Sequence, residues 1–210
     1  MQHKVKVTVI DKKLYPELQT RYCNDPNSGA CPCYNVGDEF IFERYNSADD
    51  FWHMGLNTLK QSVLTADNTD TEDNIRQNTA GGTNFPHCSE AWDAVSRYIY
   101  TGLQGGSIMR GWMNNERVMI ACCSDGTRPV IFKIERLDYK AVYIDGIGCD
   151  ACRTRIKEAV MQINGVTDAV FRKNEDGTEY IEIFLDKDIE DKMIADTINC
   201  LNKYHVLKID

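Results

Sequence analysis

The chain has 210 residues, of which 42% are hydrophobic and 27% are charged, a balance typical of folded globular proteins. Its formal net charge of -8 argues against binding through a broad basic surface, so we expect no nucleic-acid partner. The apolar runs are short, which excludes a membrane-spanning helix of about 20 apolar residues. The first residues lead directly into a strand pattern, so we expect no signal peptide.

Nine cysteines are the unusual feature of the composition. An odd number of cysteines without an export signal indicates thiols that are kept reduced. In that setting, clustered cysteines more often bind metal or take part in redox chemistry than form structural disulfides. We therefore expect a cysteine-rich, cytoplasmic protein whose function involves its thiols.

The overall pattern predicts an α+β protein with two domains. Residues 1–139 are expected to form a mixed, β-rich α+β domain. Alternating apolar residues predict its strands, and an apolar face predicts a helix that Ser89 caps. The expected elements are strands over 4–10, 36–42, 118–122 and 129–134, and a helix from Ser89 to about Thr101.

A polar segment, residues 46–83, separates the second strand of this domain from the helix. Asn, Thr and Asp are crowded in its second half, and two glycines lie near its end. We interpret it as a surface insertion of loop structure with one short helix near residues 51–64.

Six cysteines fall in loops or at strand ends of the first domain. Cys122 and Cys123 are adjacent, so strand alternation sends their side chains to opposite faces. The sequence leaves two interpretations open, namely mostly structural thiols with one reactive cysteine, or a metal or thiol site. The candidates for such a second site are Cys31, Cys33, Cys88 and Cys123.

The first domain also resembles a bacterial family of uncharacterised proteins. The resemblance is carried by the strand 5–9, by Cys31-Pro32-Cys33 with the following turn, and by the segments 88–92 and 121–136. That family has no assigned activity, so the resemblance implies no chemistry. The insertion 46–83 is longer than in typical members, which suggests a lid or a partner surface.

Residues 140–210 are expected to form a complete small domain in the order βαββαβ. This order is the ferredoxin-like plan of one antiparallel sheet with two helices on one face. Apolar residues at helical spacing predict both helices, and an Asp-Gly pair predicts the central hairpin turn. The expected elements are strands over 140–144, 166–171, 180–185 and 204–209, a helix ending at Asn164, and a helix from Asp188 to about Leu201.

Cys149 and Cys152 form a C-x-x-C pair, here named the CxxC pair, between the first strand and first helix of this domain. Such thiols can bind one ion or close a disulfide, and the spacing alone does not decide. The start of a helix stabilises thiolates. Because Cys152 lies four residues before Ile156, it continues the buried stripe, while Cys149 lies on the loop. This arrangement suits Cu(I), or Zn(II) with further ligands.

Residues 140–209 resemble a heavy-metal-associated domain, the module of copper metallochaperones and of the cytosolic extensions of metal-transporting ATPases. The matching features are Gly146 with the CxxC pair, the helix end 163–166 and the closing segment 203–206.

The resemblance implies that Cys149 and Cys152 are the metal ligands. It also places Tyr204 near the metal loop, with Lys203 as a neighbour that neutralises charge. The family usually has a Met two residues before its first Cys. Ile147 stands there in this chain and can fill the space beneath the loop.

We therefore expect a protein that captures or transfers Cu(I) or Zn(II) through the CxxC pair. The first domain would act as a second site, a receiver or a sensor. The expected partner is a metal-transfer protein or a second copy of the chain, paired through a sheet edge. The alternative is a cysteine- or metal-dependent enzyme that uses Cys123 or Cys88. Cys200 is expected to be a small packing residue.

Overall fold

The computed structural model describes residues 1–44, 59–64, 76–77, 88–174, 176–201 and 203–210. These residues form a mixed α+β fold with a largely antiparallel sheet and four helices. None of the described helices has the length and apolar character needed to cross a bilayer.

The chain divides into two compact units. The N-terminal unit is Lys4–Arg136, and the C-terminal unit combines Met1–His3 with Leu137–Asp210. The sequence predicts a boundary after residue 139 and places the first three residues in the first domain, so the structure differs at both points. Within the C-terminal unit, His3 Nδ1 lies 2.8 Å from Asp138 Oδ1, and the Tyr139 hydroxyl donates to Gln2 Oε1 at 2.7 Å. These bonds tie the first residues to the start of the C-terminal segment.

The elements between residues 2 and 145 include all four strands that the sequence predicts for the first domain. β1 pairs antiparallel with β2, β2 with β3, β3 with β4, and β5 with the first part of β6. The elements are β1 Gln2–Lys12, α1 Pro16–Tyr22, β2 Glu39–Arg44, β3 Leu59–Leu64, β4 Arg76–Gln77, α2 Ser89–Leu103, β5 Val118–Cys122 and β6 Val130–Asp145.

The prediction of a short helix near residues 51–64 is wrong for residues 59–64. Residues 59–64 form β3, which pairs along the whole of β2, so backbone pairing with a neighbouring strand overrides the local pattern. Residues 51–58 lie outside the described part of the chain. Within the insertion, residues 76–77 also form a strand, β4, where loop was expected.

α1 and the start of α2 also differ from expectation. α1 was not predicted; it begins at Pro16, and its buried Gln19 both donates to and accepts from the backbone of Gly29. α2 begins at Ser89, and its N-cap is Cys88 without a side-chain cap, so Ser89 is not the cap. The inner face of α2 packs on a core built with β1 and β6; its members include Val5, Val7, Val95, Ile99, Phe132 and Ile134.

In the C-terminal unit, β6 pairs with β8 on one side and with β9 on the other, and β7 pairs with β8. All these pairs are antiparallel, which gives the strand order β9-β6-β8-β7. The remaining elements are α3 Asp150–Met161, β7 Val166–Lys173, β8 Glu179–Leu185, α4 Asp191–Asn199 and β9 His205–Ile209.

α4 begins three residues later than predicted, at Asp191. The buried Lys140 explains the difference, because its ammonium donates to the Ile189 carbonyl and to Asp191 Oδ1 at 2.6 Å. It also lies 3.4 Å from Asp188 Oδ1, so the segment before the helix is fixed as a bend around this cation. The predicted start of this helix at Asp188 is therefore wrong.

Both helices of this unit face one apolar core. Its fully buried members include Ile156, Val160, Ala169, Ile181, Ile183, Ile194 and Ile198. Met193 is 54% exposed, although its spacing placed it on the buried stripe. Cys200 is exposed at the C-cap of α4, so the expectation of a packing role for Cys200 is wrong.

Candidate functional site

The loop between β6 and α3 lies against the backbone that precedes β9. Gly146 has φ of +88°, and a Cβ at this position would lie 2.5 Å from the Lys203 carbonyl oxygen. Only glycine fits both requirements without strain. This close approach brings Lys203 and Tyr204 beside the loop that carries the CxxC pair.

The two cysteines occupy different positions at the start of α3. Cys149 is the N-cap, and its carbonyl accepts the backbone N–H of Cys152 at 3.0 Å and of Arg153 at 3.2 Å. Cys149 is exposed, whereas Cys152 is 3% exposed, as the apolar stripe predicts. Their Sγ atoms lie 2.6 Å apart and both thiols are free. The two thiols therefore lie side by side at the start of the helix.

Two side chains from the segment before β9 contact the inner sulfur. Lys203 Nζ donates to Cys152 Sγ at 3.4 Å, and the hydroxyl of the buried Tyr204 is also hydrogen-bonded to it. The Lys203 ammonium lies 5.8 Å from the centroid of the Tyr204 ring. The resemblance implied positions near the metal loop for both residues, and the structure brings them there.

Hydrogen bonding determines the charge state of the inner thiol. The bond with Cys149 is the largest cause that lowers the pKa of Cys152, to about 6, followed by bonds from the Gly148 backbone, Tyr204 and Lys203. Burial opposes this shift. Cys152 is therefore mainly a thiolate at neutral pH. In turn, its hydrogen bonds raise the pKa of Lys203 and of Tyr204.

Two ion pairs of Arg153 hold the first turn of α3. Arg153 Nε lies 2.6 Å from Glu179 Oε1, and its Nη1 donates to Asp150 Oδ1 at 2.6 Å. Below the loop, Ile147 is half-buried and packs on the core, the role expected for it in place of a methionine. The loop is thus fixed from the sheet side and from the core side.

The N-terminal cysteines show the predicted contrast at the vicinal pair. Cys122 is exposed and Cys123 is buried, so the two adjacent side chains point in opposite directions at the end of β5. The Val130 N–H donates to Cys123 Sγ at 3.2 Å, which holds that sulfur in the core. Cys31 and Cys88 are half-buried against the same core, and Cys33 is exposed.

The four candidate cysteines of this unit all interact electrostatically with one buried tyrosine. Burial raises the pKa of Tyr34 well above its ordinary range, and the charges of Cys88, Cys33, Cys31 and Cys123 raise it further. Sequence reasoning missed Tyr34; the signal was an aromatic residue placed directly after Cys31-Pro32-Cys33. The structure thus brings the predicted second set of thiols into one neighbourhood.

These thiols rest in the protonated form where the shift is resolved. Burial, followed by the charges of Cys31 and Cys88, raises the pKa of Cys33, and burial with Cys123 raises that of Cys122. Across the described ranges, no group of three or more His, Cys, Asp or Glu side chains is arranged to hold a metal ion. The two-sulfur CxxC pair falls below that number of ligands.

Comparison of the chain with protein-family models, with curated proteins and with solved structures found no match.

Proposed function

We propose that the chain captures a soft metal ion, Cu(I) or Zn(II), through Cys149 and Cys152, and transfers it to the thiols of a partner protein. The observation that carries this proposal is the placement of two adjacent free thiols at the start of α3, with Lys203 Nζ 3.4 Å from the inner sulfur.

The charge state of Cys152 supports metal capture at neutral pH. The thiolate is the form that binds metal, and a pKa of about 6 supplies it without competition from protons. Two thiolates suit Cu(I), whereas Zn(II) requires about four ligands, so part of its shell would come from water or a partner. Two thiolates with Cu(I) carry one net negative charge, which the Lys203 ammonium offsets.

The unequal exposure of the two cysteines supports transfer as well as capture. Cys149 is exposed on the loop, and Cys152 is buried at the first turn of the helix. An incoming thiolate can displace Cys149 from the ion while Cys152 still holds it. The partner we expect is a protein with accessible thiols, and a second copy of the chain is the other candidate.

The C-terminal unit supports the resemblance to a heavy-metal-associated domain. Its antiparallel strand order β9-β6-β8-β7 and its two helices on one core are those of a ferredoxin-like domain, the arrangement that we propose here. In that arrangement, the loop after the first strand carries the metal ligands at the end of the sheet.

Elemental analysis of anaerobically purified protein tests the proposal. We expect Cys149→Ser with Cys152→Ser to lose one equivalent of copper or zinc relative to the unmodified protein. A matched control, Cys122→Ser with Cys200→Ser, removes two exposed thiols and should leave the metal content unchanged. Equal metal content in the first variant and the unmodified protein would contradict the proposal.

The enzyme alternative predicts a different result in thiol profiling. A nucleophilic cysteine in the N-terminal unit would react with iodoacetamide much faster than its neighbours. The raised pKa values of Cys33 and Cys122 favour slow reaction at those two thiols. One hyper-reactive thiol in the N-terminal unit would support the enzyme instead.

A further inference from the structure

The N-terminal unit presents a second pair of thiols, Cys31 and Cys33, here named the CxC pair. Cys31 is half-buried against the core and Cys33 is exposed. A single residue, Pro32, separates the two cysteines. One loop therefore carries two adjacent soft ligands, one sheltered and one open to solvent.

A buried tyrosine fixes the end of this loop. Tyr34 is 6% exposed, and its ring meets Phe40 and Phe132 edge-on at centroid distances of 6.0 Å and 5.3 Å. The Lys12 ammonium donates to the Tyr34 carbonyl at 2.5 Å. Because the next residue after Cys33 is anchored in this way, the CxC pair is held near the core before any ligand binds.

A positive charge interacts with the CxC pair. The Arg128 guanidinium interacts electrostatically with both Cys31 and Cys33. Its position is fixed by Asp125, whose Oδ2 lies 2.9 Å from Arg128 Nε. A bis-thiolate that holds one Cu(I) carries one net negative charge, and this guanidinium offsets it.

Two thiols on a loop with a basic side chain nearby also occur at the CxxC pair. There, two thiols on a loop lie beside Lys203 and the buried Tyr204. The two loops differ in sequence: one residue separates the cysteines of the CxC pair and two separate those of the CxxC pair, and only the latter begins a helix. The assignment of a second site rests on the proposed function of the CxxC pair, because two thiols near a basic side chain are taken to bind the same kind of ion in both places.

We propose that Cys31 and Cys33 form a second metal site, which binds one Cu(I) as a two-coordinate bis-thiolate beside Arg128. On binding, each thiol releases its proton to solvent and the ion keeps its oxidation state. The site requires only the two sulfurs of the CxC pair. Cys123 is not a ligand, because its sulfur is engaged by the Val130 N–H inside the core.

Anaerobic titration of the full chain with Cu(I), against a chromophoric Cu(I) chelator, tests this site. In the Cys149→Ser, Cys152→Ser background, we expect the protein to withdraw one equivalent of Cu(I) from the chelator. Adding Cys31→Ser and Cys33→Ser should abolish that withdrawal or weaken it at least tenfold. Adding Cys23→Ser and Cys200→Ser instead removes two thiols outside the pair and should leave it unchanged.

Failure of this site and failure of the CxxC pair give different results. If only the CxxC pair fails, the unmodified protein and the Cys149→Ser, Cys152→Ser background each bind one equivalent. If the second site is absent, the Cys149→Ser, Cys152→Ser protein withdraws no Cu(I) from the chelator. If other thiols bind the ion instead, the protein still withdraws one equivalent after Cys31→Ser and Cys33→Ser. Either result overturns the proposal. Because Cys31 is half-buried, the single variant Cys33→Ser at the exposed position should show the same loss with an unchanged circular dichroism spectrum.

Discussion

Hydrogen bonds around one sulfur determine the chemistry of the CxxC pair. The start of a helix favours a thiolate, and direct bonds from Cys149, Gly148, Tyr204 and Lys203 to Cys152 add to this effect. Two of these donors come from the far end of the domain in sequence. The pKa of this thiol therefore depends on tertiary structure as well as on its place in α3.

The thiolate of Cys152 should titrate with a midpoint near pH 6 in the metal-free protein. Its ultraviolet absorbance, measured as the difference from Cys152→Ser, reports the charge. Tyr204→Phe and Lys203→Met should each raise the midpoint, because each removes a group that stabilises the anion. Lys192→Met, at an exposed position of α4, is the control. A midpoint near the ordinary thiol value in the unmodified protein would contradict the assignment.

The same shift predicts a pH dependence of folding stability. The folded pKa of Cys152, about 6, lies below its ordinary value of 9.0, so the unfolded chain binds more protons between these values. The contribution of Cys152 is complete above the ordinary value and disappears as the pH falls through 6. Urea unfolding of metal-free protein should therefore show stability rising across this window, and Cys152→Ser should reduce the rise. An identical pH profile in Cys152→Ser would rule out Cys152 as a cause of the rise in stability.

Gly146→Ala should destabilise the loop that carries the CxxC pair. Its positive φ and the clash of a Cβ with the Lys203 carbonyl predict a loss of about 2 kcal/mol or more in the free energy of unfolding. Gly148→Ala is the matched control, because a Cβ there meets no atom within 4 Å; it should change stability by less than ~0.5 kcal/mol. Urea unfolding monitored by circular dichroism measures both. Equal effects at the two glycines would contradict the packing of this loop.

Among the elements, periodicity predicted those whose own residues form the buried face. Strand alternation in β1 and the helical stripe of α3 are examples. Elements fixed by partners were mispredicted: β3 forms because β2 offers a free edge, and α4 starts late because Lys140 holds the preceding bend. At the sites, the CxxC pair and its neighbours were predictable from spacing and resemblance. The grouping of four thiols around Tyr34 depends on long-range packing, which the sequence pattern does not show.

Neighbouring residues of α4 should respond very differently to truncation. Ile194 is fully buried in the core, so Ile194→Ala should lower the free energy of unfolding by about 2–5 kcal/mol. Met193 is 54% exposed, so Met193→Ala should cost less than ~1 kcal/mol. Urea unfolding monitored by circular dichroism compares them. A larger loss of stability in Met193→Ala than in Ile194→Ala would show that Met193 lies on the buried face of α4.

At the scale of the whole molecule, each unit has its own apolar core, and the C-terminal unit includes the first three residues of the chain. The hydrogen bonds of Gln2 and His3 with Tyr139 and Asp138 hold those residues in place. Changes near the N-terminus should therefore be felt in the unit that carries the CxxC pair.

Gln2→Ala with His3→Ala should weaken the C-terminal unit. Loss of the two hydrogen bonds predicts a decrease of about 1–3 kcal/mol in its local stability. Hydrogen exchange measured by mass spectrometry should show faster exchange in β8 and little change in β5. Ile10→Ala, at an exposed position of the same β1 strand, is the control and should leave β8 unaffected. Faster exchange in β5 alone would contradict the assignment of the first residues.

The division of the chain also sets an order of events during synthesis. All residues of the N-terminal unit, including the CxC pair, have been translated when Arg136 is added. The first three residues must then wait for residues 137–210 before their own unit can fold. The CxxC pair gains its lysine and tyrosine only after residue 204 has left the ribosome. In a growing chain, the first thiols to gain folded surroundings are therefore those of the N-terminal unit, Cys31 and Cys33 among them.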